Sequence, residues 1–413
     1  MADMPVAADL RFMREVNATA VLERLRRQDR MSVAELAKAS GLSRQAVTRS
    51  LTELQDVGLV EYLPPERDAK RSGRPAQLVR FRARAGYVVG AFIDPHQIRL
   101  GLADLRGEMV TSRQAALEHG ADGEAAIALM VQEVRELLAR AGTAPEQVYS
   151  AAIGAPGIVD PTAGVIRLVP SMSGLSGDGA VRALGEYLDC AVYLDNDVKL
   201  ATRGEQWHGV RRDDESLVVV HWGERIGAGI VLNGSLYRGA TNDAGDLGFL
   251  DVIAEGGHGT TDSGLGRFEA WAGASALTAL AVEEMTRSGD AGRAQQVLDA
   301  GDDALDLVLA AIQAGDRDAG TALTRVAERF AIGLAAIRTL LDPHLVVFSG
   351  PLARVGEPLL EALRSALVDF PLELPELQVS TLGADAVVQG GIRHCLDELE
   401  QNRYVPLERG ARP

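Results

Sequence analysis

Ile153-Gly154-Ala155-Pro156-Gly157-Ile158-Val159-Asp160, Leu194-Asp195-Asn196-Asp197 and Ile226-Gly227-Ala228-Gly229-Ile230 stand in this order along the middle of a 413-residue chain. Upstream of them, Val88–Ile93 and Ile98–Asp104 read as two strands, followed by an amphipathic helix over 122–141. Downstream, Ile230–Tyr237 reads as a hairpin, because Asn233-Gly234 suits a two-residue turn. Asp342–Gly350 leads from a long helix into a buried strand and a glycine turn. Strands alternating with helices in this way predict an α/β body from residue 85 onward. A chain of 413 residues exceeds one ordinary core, so two or three domains are expected.

With 46% hydrophobic and 24% charged residues, the composition is that of a globular protein and excludes a disordered tail. No stretch approaches the roughly 20 uninterrupted apolar residues of a bilayer crossing, and Met1–Pro5 carries no basic segment leading into an apolar one. A cytoplasmic protein is expected. Cys190 and Cys395 stand far apart, which rules out a disulfide framework or a cysteine-rich metal site and predicts two buried thiols. The net charge of −16 is unevenly spread: residues 1–84 hold 16 Lys+Arg against 11 Asp+Glu, leaving 26 and 47 for the rest. A basic head on an acidic body suits attraction of a phosphate backbone at one end.

Three helical patterns succeed one another in the head. Ser32-Val33-Ala34-Glu35 opens the second as a capping box, and Ser40-Gly41-Leu42 turns the chain into the third. Ser43 is placed to cap that third helix, whose Val47, Leu51 and Leu54 recur at helical spacing and face the core. Arg44, Gln45, Thr48, Arg49 and Thr52 then lie on the opposite side, and Arg and Gln are the side chains that pair with guanine and adenine in a major groove. Leu59–Tyr62 and Gln77–Phe81 read as two strands of a wing around Lys70-Arg71-Ser72-Gly73-Arg74-Pro75. Arg71 and Arg74 on that frame suit a narrow minor groove. The candidate DNA-binding set is Ser43, Arg44, Gln45, Thr48, Arg49, Arg71 and Arg74, and the partner is a double-stranded, palindromic operator.

The three runs quoted first, together with Tyr237-Arg238-Gly239-Ala240 and Ala244-Gly245-Asp246-Leu247-Gly248, occur in the order and spacing of the ROK family of repressors, open reading frames and sugar kinases. With a winged helix-turn-helix in front, the chain resembles the repressor branch of that family. The resemblance implies a two-lobed actin-like ATPase (ribonuclease H-like) body behind an α+β winged helix-turn-helix domain, assembled as a homodimer or homotetramer. The expected boundaries are 1–84 for the head, 85–195 for the first lobe, completed by a C-terminal helix at about 388–413, and 196–387 for the second lobe.

The family's motifs also imply what this body lacks. Its first phosphate loop reads D-x-G-x-T, and the matching positions hold Phe92, Asp94 and His96; another register puts Asp94 at the carboxylate position and leaves His96 and Ile98 for the glycine and threonine. Gly223-Glu224-Arg225-Ile226-Gly227-Ala228-Gly229 replaces G-T-G-I-G-A-G, so a carboxylate and a bulky cation stand where small residues let amides approach phosphate. Asp197 matches the family's catalytic base. The zinc motif's cysteines are replaced by Thr260, Asp262 and Arg267 and its histidine by Phe249, with His258 a loop residue nearby. Neither metal, cofactor nor catalysis is expected.

The family's sugar-holding positions correspond to Asn196, Asp197, Asp246, Phe249 and Glu269, of which Asn196, Asp197, Asp246 and Glu269 are the candidate effector ligands for a sugar or sugar derivative. Phe249 either stacks on a sugar face or fills the pocket. Three readings stand at this point: a regulator whose cleft senses a carbohydrate, a regulator whose body only dimerises, and a bifunctional kinase. The sequence does not distinguish repression from activation.

Overall fold

The computed structural model describes residues 6–64, 77–169, 171–209, 216–251, 261 and 264–401. The head begins with α1 (Val6–Arg27), β1 (Arg30–Ser32), α2 (Val33–Ser40), α3 (Arg44–Asp56), β2 (Val60–Tyr62) and β3 (Leu78–Phe81). Ser32 and Glu35 form the expected capping box, and Gly41 takes the left-handed conformation (φ 72°) that the α2–α3 turn requires. Ser43 caps α3 by accepting from the Ala46 amide at 3.2 Å. Val47, Leu51 and Leu54 pack with Val21, Leu22 and Leu25 of α1. The three-residue β1 pairs antiparallel with β3, which also pairs β2. Nothing in so short a run as Arg30-Met31-Ser32 signals a strand; it is held by the edge that β3 offers. The basic stretch with Arg71 and Arg74 lies outside the described residues.

The body opens with β4 (Tyr87–Asp94), β5 (Gln97–Asp104), β6 (Met109–Ala116), α4 (Gly123–Ala141), β7 (Val148–Ala155), the small pair β8 (Ile158–Asp160) and β9 (Val165–Leu168), α5 (Gly179–Leu188), β10 (Ala191–Asn196) and α6 (Asp197–His208). It continues with β11 (Ser216–Trp222), β12 (Ile226–Leu232), β13 (Ser235–Tyr237), α7 (Arg267–Ala272), α8 (Ala274–Ser288), α9 (Ala291–Asp299), α10 (Ala304–Gln313) and α11 (Arg317–Leu341). It closes with β14 (Leu345–Ser349), α12 (Glu357–Ala366), β15 (Glu376–Val379) and α13 (Asp385–Gln401). The Asn233-Gly234 turn has positive φ at both residues, as that two-residue hairpin demands.

Two five-stranded sheets result, ordered β10-β7-β4-β5-β6 and β13-β12-β11-β14-β15. In each, a central strand pairs antiparallel on one side and parallel on the other: β4 with β5 and β7, β11 with β12 and β14. The lobes therefore repeat one topology, which is the duplicated sheet of the actin-like ATPase architecture. The helices α8 to α11 form a helical block between β13 and β14 that packs on Trp222, Phe268 and Phe348. Phe330 stacks on Trp222 with ring centroids 3.9 Å apart.

Helix α13 returns to the first lobe, and the fit is made by glycine. A Cβ on Gly90 of β4 would meet the Val388 carbonyl at 2.4 Å; on Gly204 of α6, the Ala386 carbonyl at 2.1 Å; on Gly390 of α13, the Leu200 carbonyl at 1.7 Å. Backbone thus touches backbone where α6, α13 and β4 cross. Cys395 is buried beside Val89 as expected, while Cys190, expected to be buried, is half-buried at the turn between α5 and β10. Among the described residues no helix is long and apolar enough to cross a membrane. We expect Gly390→Ala to lower the free energy of unfolding by about 1–3 kcal/mol, because the added methyl overpacks a backbone contact that cannot retreat. Urea denaturation checks this, and an unchanged midpoint would show that α6 can move aside.

Candidate functional site

In open α/β sheets ligands collect outside the carboxyl ends of the parallel strands. Asp94 ends β4, Asp195 and Asn196 end β10, and His221 lies near the end of β11, with Gly223 just beyond it and Gly350 after β14. Phe92 and Asp94 point to the same face of β4, since side chains alternate along a strand. Phe92 is buried in the core with Leu200 and Ala201, whereas half-buried Asp94 accepts the His96 amide at 2.9 Å and closes a two-residue turn. Asp94 supplies the carboxylate of this turn. It acts on both Asp197 and His221. Burial above all, and then the neighbouring Asp94 charge, raise the Asp197 pKa to about 7.

The four candidate effector ligands differ in what they are already bound to. Asn196 caps α6 by accepting from the Lys199 amide at 3.2 Å and donates to the Gly157 carbonyl at 3.1 Å. Asp197 accepts the Val198 amide at 2.8 Å. Asp246 lies near Lys199, Asp243 and Glu269, and burial raises its pKa more than the Lys199 charge lowers it. Glu269 is 5% exposed and accepts from the Ile226 amide at 3.0 Å, the Gly266 amide at 2.7 Å and Arg225 at 3.3 Å. Its carboxylate holds the second loop against α7. Phe249 is 50% exposed, so the ring does not fill a closed pocket.

The two unusual residues of the second loop are also engaged. One Glu224 carboxylate oxygen accepts from both the Ser275 amide (3.0 Å) and its hydroxyl (2.7 Å) in the first turn of α8. Arg225 donates to the Gly264 carbonyl at 3.0 Å as well as to Glu269. A negative charge at the amino end of α8 is thus supplied by the chain itself. Arg267 opens α7 and lies 3.9 Å from Asp251. Thr260, Asp262 and His258 fall outside the described residues, and the described ones contain no cluster able to hold a metal.

Two residues that sequence reasoning did not select organise this cleft. Arg238 of the second lobe forms a two-pronged pair with the buried Asp195 of the first, at 3.0 and 2.5 Å, and also donates to Asn242 at 2.8 Å. Asn242 in turn donates to the Val159 carbonyl at 3.2 Å, so the segment after β13 is fastened across the lobes. Lys199 is 3% exposed, and its ammonium lies in the field of Asp246, Asp195 and Asp243. Its spacing of three from Asn196 on one helix was the available signal.

In the head, Ser43, Arg44, Gln45, Thr48, Arg49 and Thr52 are all exposed while Val47, Ser50, Leu51 and Leu54 are buried. Thr48 and Thr52 donate to the carbonyls four residues back, which leaves their oxygens as outward acceptors.

A family model described as "ROK family" matches residues 89–393. The chain belongs to the ROK family. A MarR family model matches residues 15–71. The "Xylose repressor" of Caldicellulosiruptor bescii is 24% identical over 94% of this chain and 97% of its own length. The crystal structure of a "ROK family transcriptional regulator, homolog of E.coli MLC protein" superposes with a TM-score of 0.74 at 19% identity, covering 95% of this chain and 98% of that one. A ROK family glucokinase from Streptomyces griseus, solved with glucose and AMPPNP, covers 75% of this chain and 99% of its own, with a TM-score of 0.61 at 22% identity. This ROK protein therefore has a body of sugar-kinase fold and a MarR-like winged helix in front.

The raised Asp197 pKa sets a pH dependence. A carboxyl protonated in the folded state up to about pH 7, but ionised in the unfolded chain above its ordinary value of 3.8, favours folding at low pH and loses that contribution as pH rises between these values. Asp197→Asn removes the titration. We expect the variant's melting midpoint to exceed that of the parent at pH 8 and the gap to shrink at pH 5. Equal gaps at both values would show that Asp197 titrates normally.

Proposed function

We propose that the chain is a cytoplasmic DNA-binding transcription regulator, acting as a homodimer or homotetramer on a palindromic operator, whose ROK body is catalytically silent and senses a carbohydrate. The observation that carries this reading is the division of α3. Its apolar side is locked onto α1, and Arg44, Gln45, Thr48 and Arg49 are left facing outward, the guanidinium and amide groups among them with no partner among the described residues. Similarity to proteins named as a xylose repressor and as an N-acetylglucosamine repressor supports repression as the outcome. The working division is 1–84 for the head, 85–195 with the C-terminal helix for the first lobe, and 196–387 for the second.

Three features support a silent body. Phe92 is spent in the core, Glu224 occupies the amino end of α8, and Arg225 is tied to Glu269 and Gly264. Phosphoryl transfer needs open amides and an organised metal, and these groups fill the places where both would be received. For sensing, Asp197, Asp246 and Lys199 near the end of β10 offer carboxyl and ammonium groups able to hydrogen-bond vicinal hydroxyls. The commitments of Asn196 and Glu269 favour a second reading, in which the body assembles the regulator without a small ligand.

Operator fragments enriched from genomic DNA, titrated by fluorescence anisotropy, test the head. Arg44→Ala and Gln45→Ala should each lose about 1–3 kcal/mol of base discrimination, whereas Arg71→Ala and Arg74→Ala should mainly weaken affinity and change the preference for groove shape. Unchanged binding in all four variants would remove α3 as the reading helix. For the body, D-xylose, D-glucose and N-acetylglucosamine should be screened by thermal shift, and a concentration-dependent rise supports sensing. Absence of any shift across a broad sugar panel favours the second reading, and ATP-dependent phosphorylation of any of these sugars would overturn the claim of silence.

A further inference from the structure

Between the cleft and the head lies a series of polar side chains, joined by direct contacts from Arg203 to Arg26 and coupled only through space to the cleft pair. It starts at Asp195, whose field and that of its partner Arg238 reach Arg203 of α6 and His394 of α13. Arg203 approaches the Nδ1 of His394 at 2.6 Å and Asp397 at 3.5 Å. Arginine has only donors, so His394 receives this bond as a neutral imidazole. That agrees with its pKa, which burial and then Arg203 push down to about 4. Asp397 accepts Arg393 Nε at 2.7 Å, and Arg393 Nη2 reaches Glu400 at 2.8 Å. The same Glu400 oxygen pairs with Arg26, in the last turn of α1. Arg26 lies one residue from Leu25, which is fully buried against α3.

The supports on either side of this series are stiff. Helix α6 begins at the cleft with Asn196 and Asp197 and crosses α13 on glycine contacts that allow no clearance. Arg393 also lies over the Trp207 ring of α6 at 5.4 Å, and Trp207 packs on Gly107 beside Leu396. At the junction itself, Arg106 of the body lies over the Phe81 ring of β3 at 5.9 Å.

Resting on the regulator reading above, we propose that the Asp195/Arg238–Arg203/His394–Asp397–Arg393–Glu400–Arg26 series transmits the state of the interlobe cleft to α1 and so sets the position of α3. Closure or opening of the lobes alters the Asp195–Arg238 pair; α6 and α13 move as one body; Glu400 carries the change to Arg26. The coupling uses α13 as its middle section, so a helix at the far end of the sequence is the link between the sensing and reading ends.

The test is a double-mutant cycle on the full chain without added ligand, read by hydrogen–deuterium exchange. Arg238→Gln alters the cleft end, Glu400→Gln cuts the head end, and peptides covering residues 16–27 report on α1. Arg238→Gln should change exchange in that segment at least threefold, and in the Glu400→Gln background the same substitution should leave it unchanged. Peptides from β11 control for folding. Should Arg238→Gln lose β11 protection, Asn242→Ala, which removes the bonds to Arg238 and to the Val159 carbonyl but leaves the Arg238–Asp195 pair, takes its place; should Glu400→Gln do so, Arg26→Gln takes its place. No effect of the cleft substitution on α1, or an equal effect in both backgrounds, overturns the proposal. Operator binding by the parent protein is scored separately, so loss of the regulator reading and loss of the relay are told apart.

Discussion

The close crossing of α6, α13 and β4 is the constraint on which the molecule is built. Three glycines permit main chain to rest on main chain there, and each stands where a single methyl group would collide with a carbonyl. Because α6 starts at the end of β10, this contact fixes Asn196 and Asp197 relative to the first sheet. Because α13 ends beside α1, it also fixes the attachment of the head. One apolar cluster accordingly runs without interruption from Leu22 and Phe81 through Leu105 to Ile392 and Leu396. Head and body share a core.

Charge is arranged on this frame with a consistent logic. Around the cleft, cations and carboxylates from different elements are paired, Arg238 with Asp195 across the lobes and Arg225 with Glu269 within the second. In each pair the carboxylate is buried, so removing the arginine strands a charge that water cannot reach. The cleft is therefore held in register by interactions that are weak substitutes for a hydrophobic core but strict about geometry. Asp94 and Asp197 are the exception, two carboxylates brought near each other with a histidine opposite.

Much of this was legible in the sequence where local rules decide the outcome. The capping box at Ser32 and Glu35, the turn at Gly41, the inner row of α3 and the Asn233-Gly234 hairpin all follow from short-range chemistry and appear where expected. The family resemblance supplied the two-lobed architecture. What the sequence did not disclose was tertiary. A side chain's type does not reveal whether its hydrogen-bonding capacity is already used, so Glu269 reads equally well as a ligand and as the capping group it is. Arg238 lies 43 residues from Asp195, and only the folded sheets bring them together. Strand β1 was missed because its pairing depends on β3, nearly fifty residues away.

Glu224 at the head of α8 ties the stability of a helix to a loop. A helix whose first turn takes a carboxylate from a neighbouring loop has made that loop part of its own structure. Clearing the loop also removes the cap, typically about 1 kcal/mol. Arg225 and Glu269 deepen the dependence, since Arg225 also holds the Gly264 carbonyl and Glu269 the Ile226 and Gly266 amides. The loop, α7 and α8 therefore persist or loosen together.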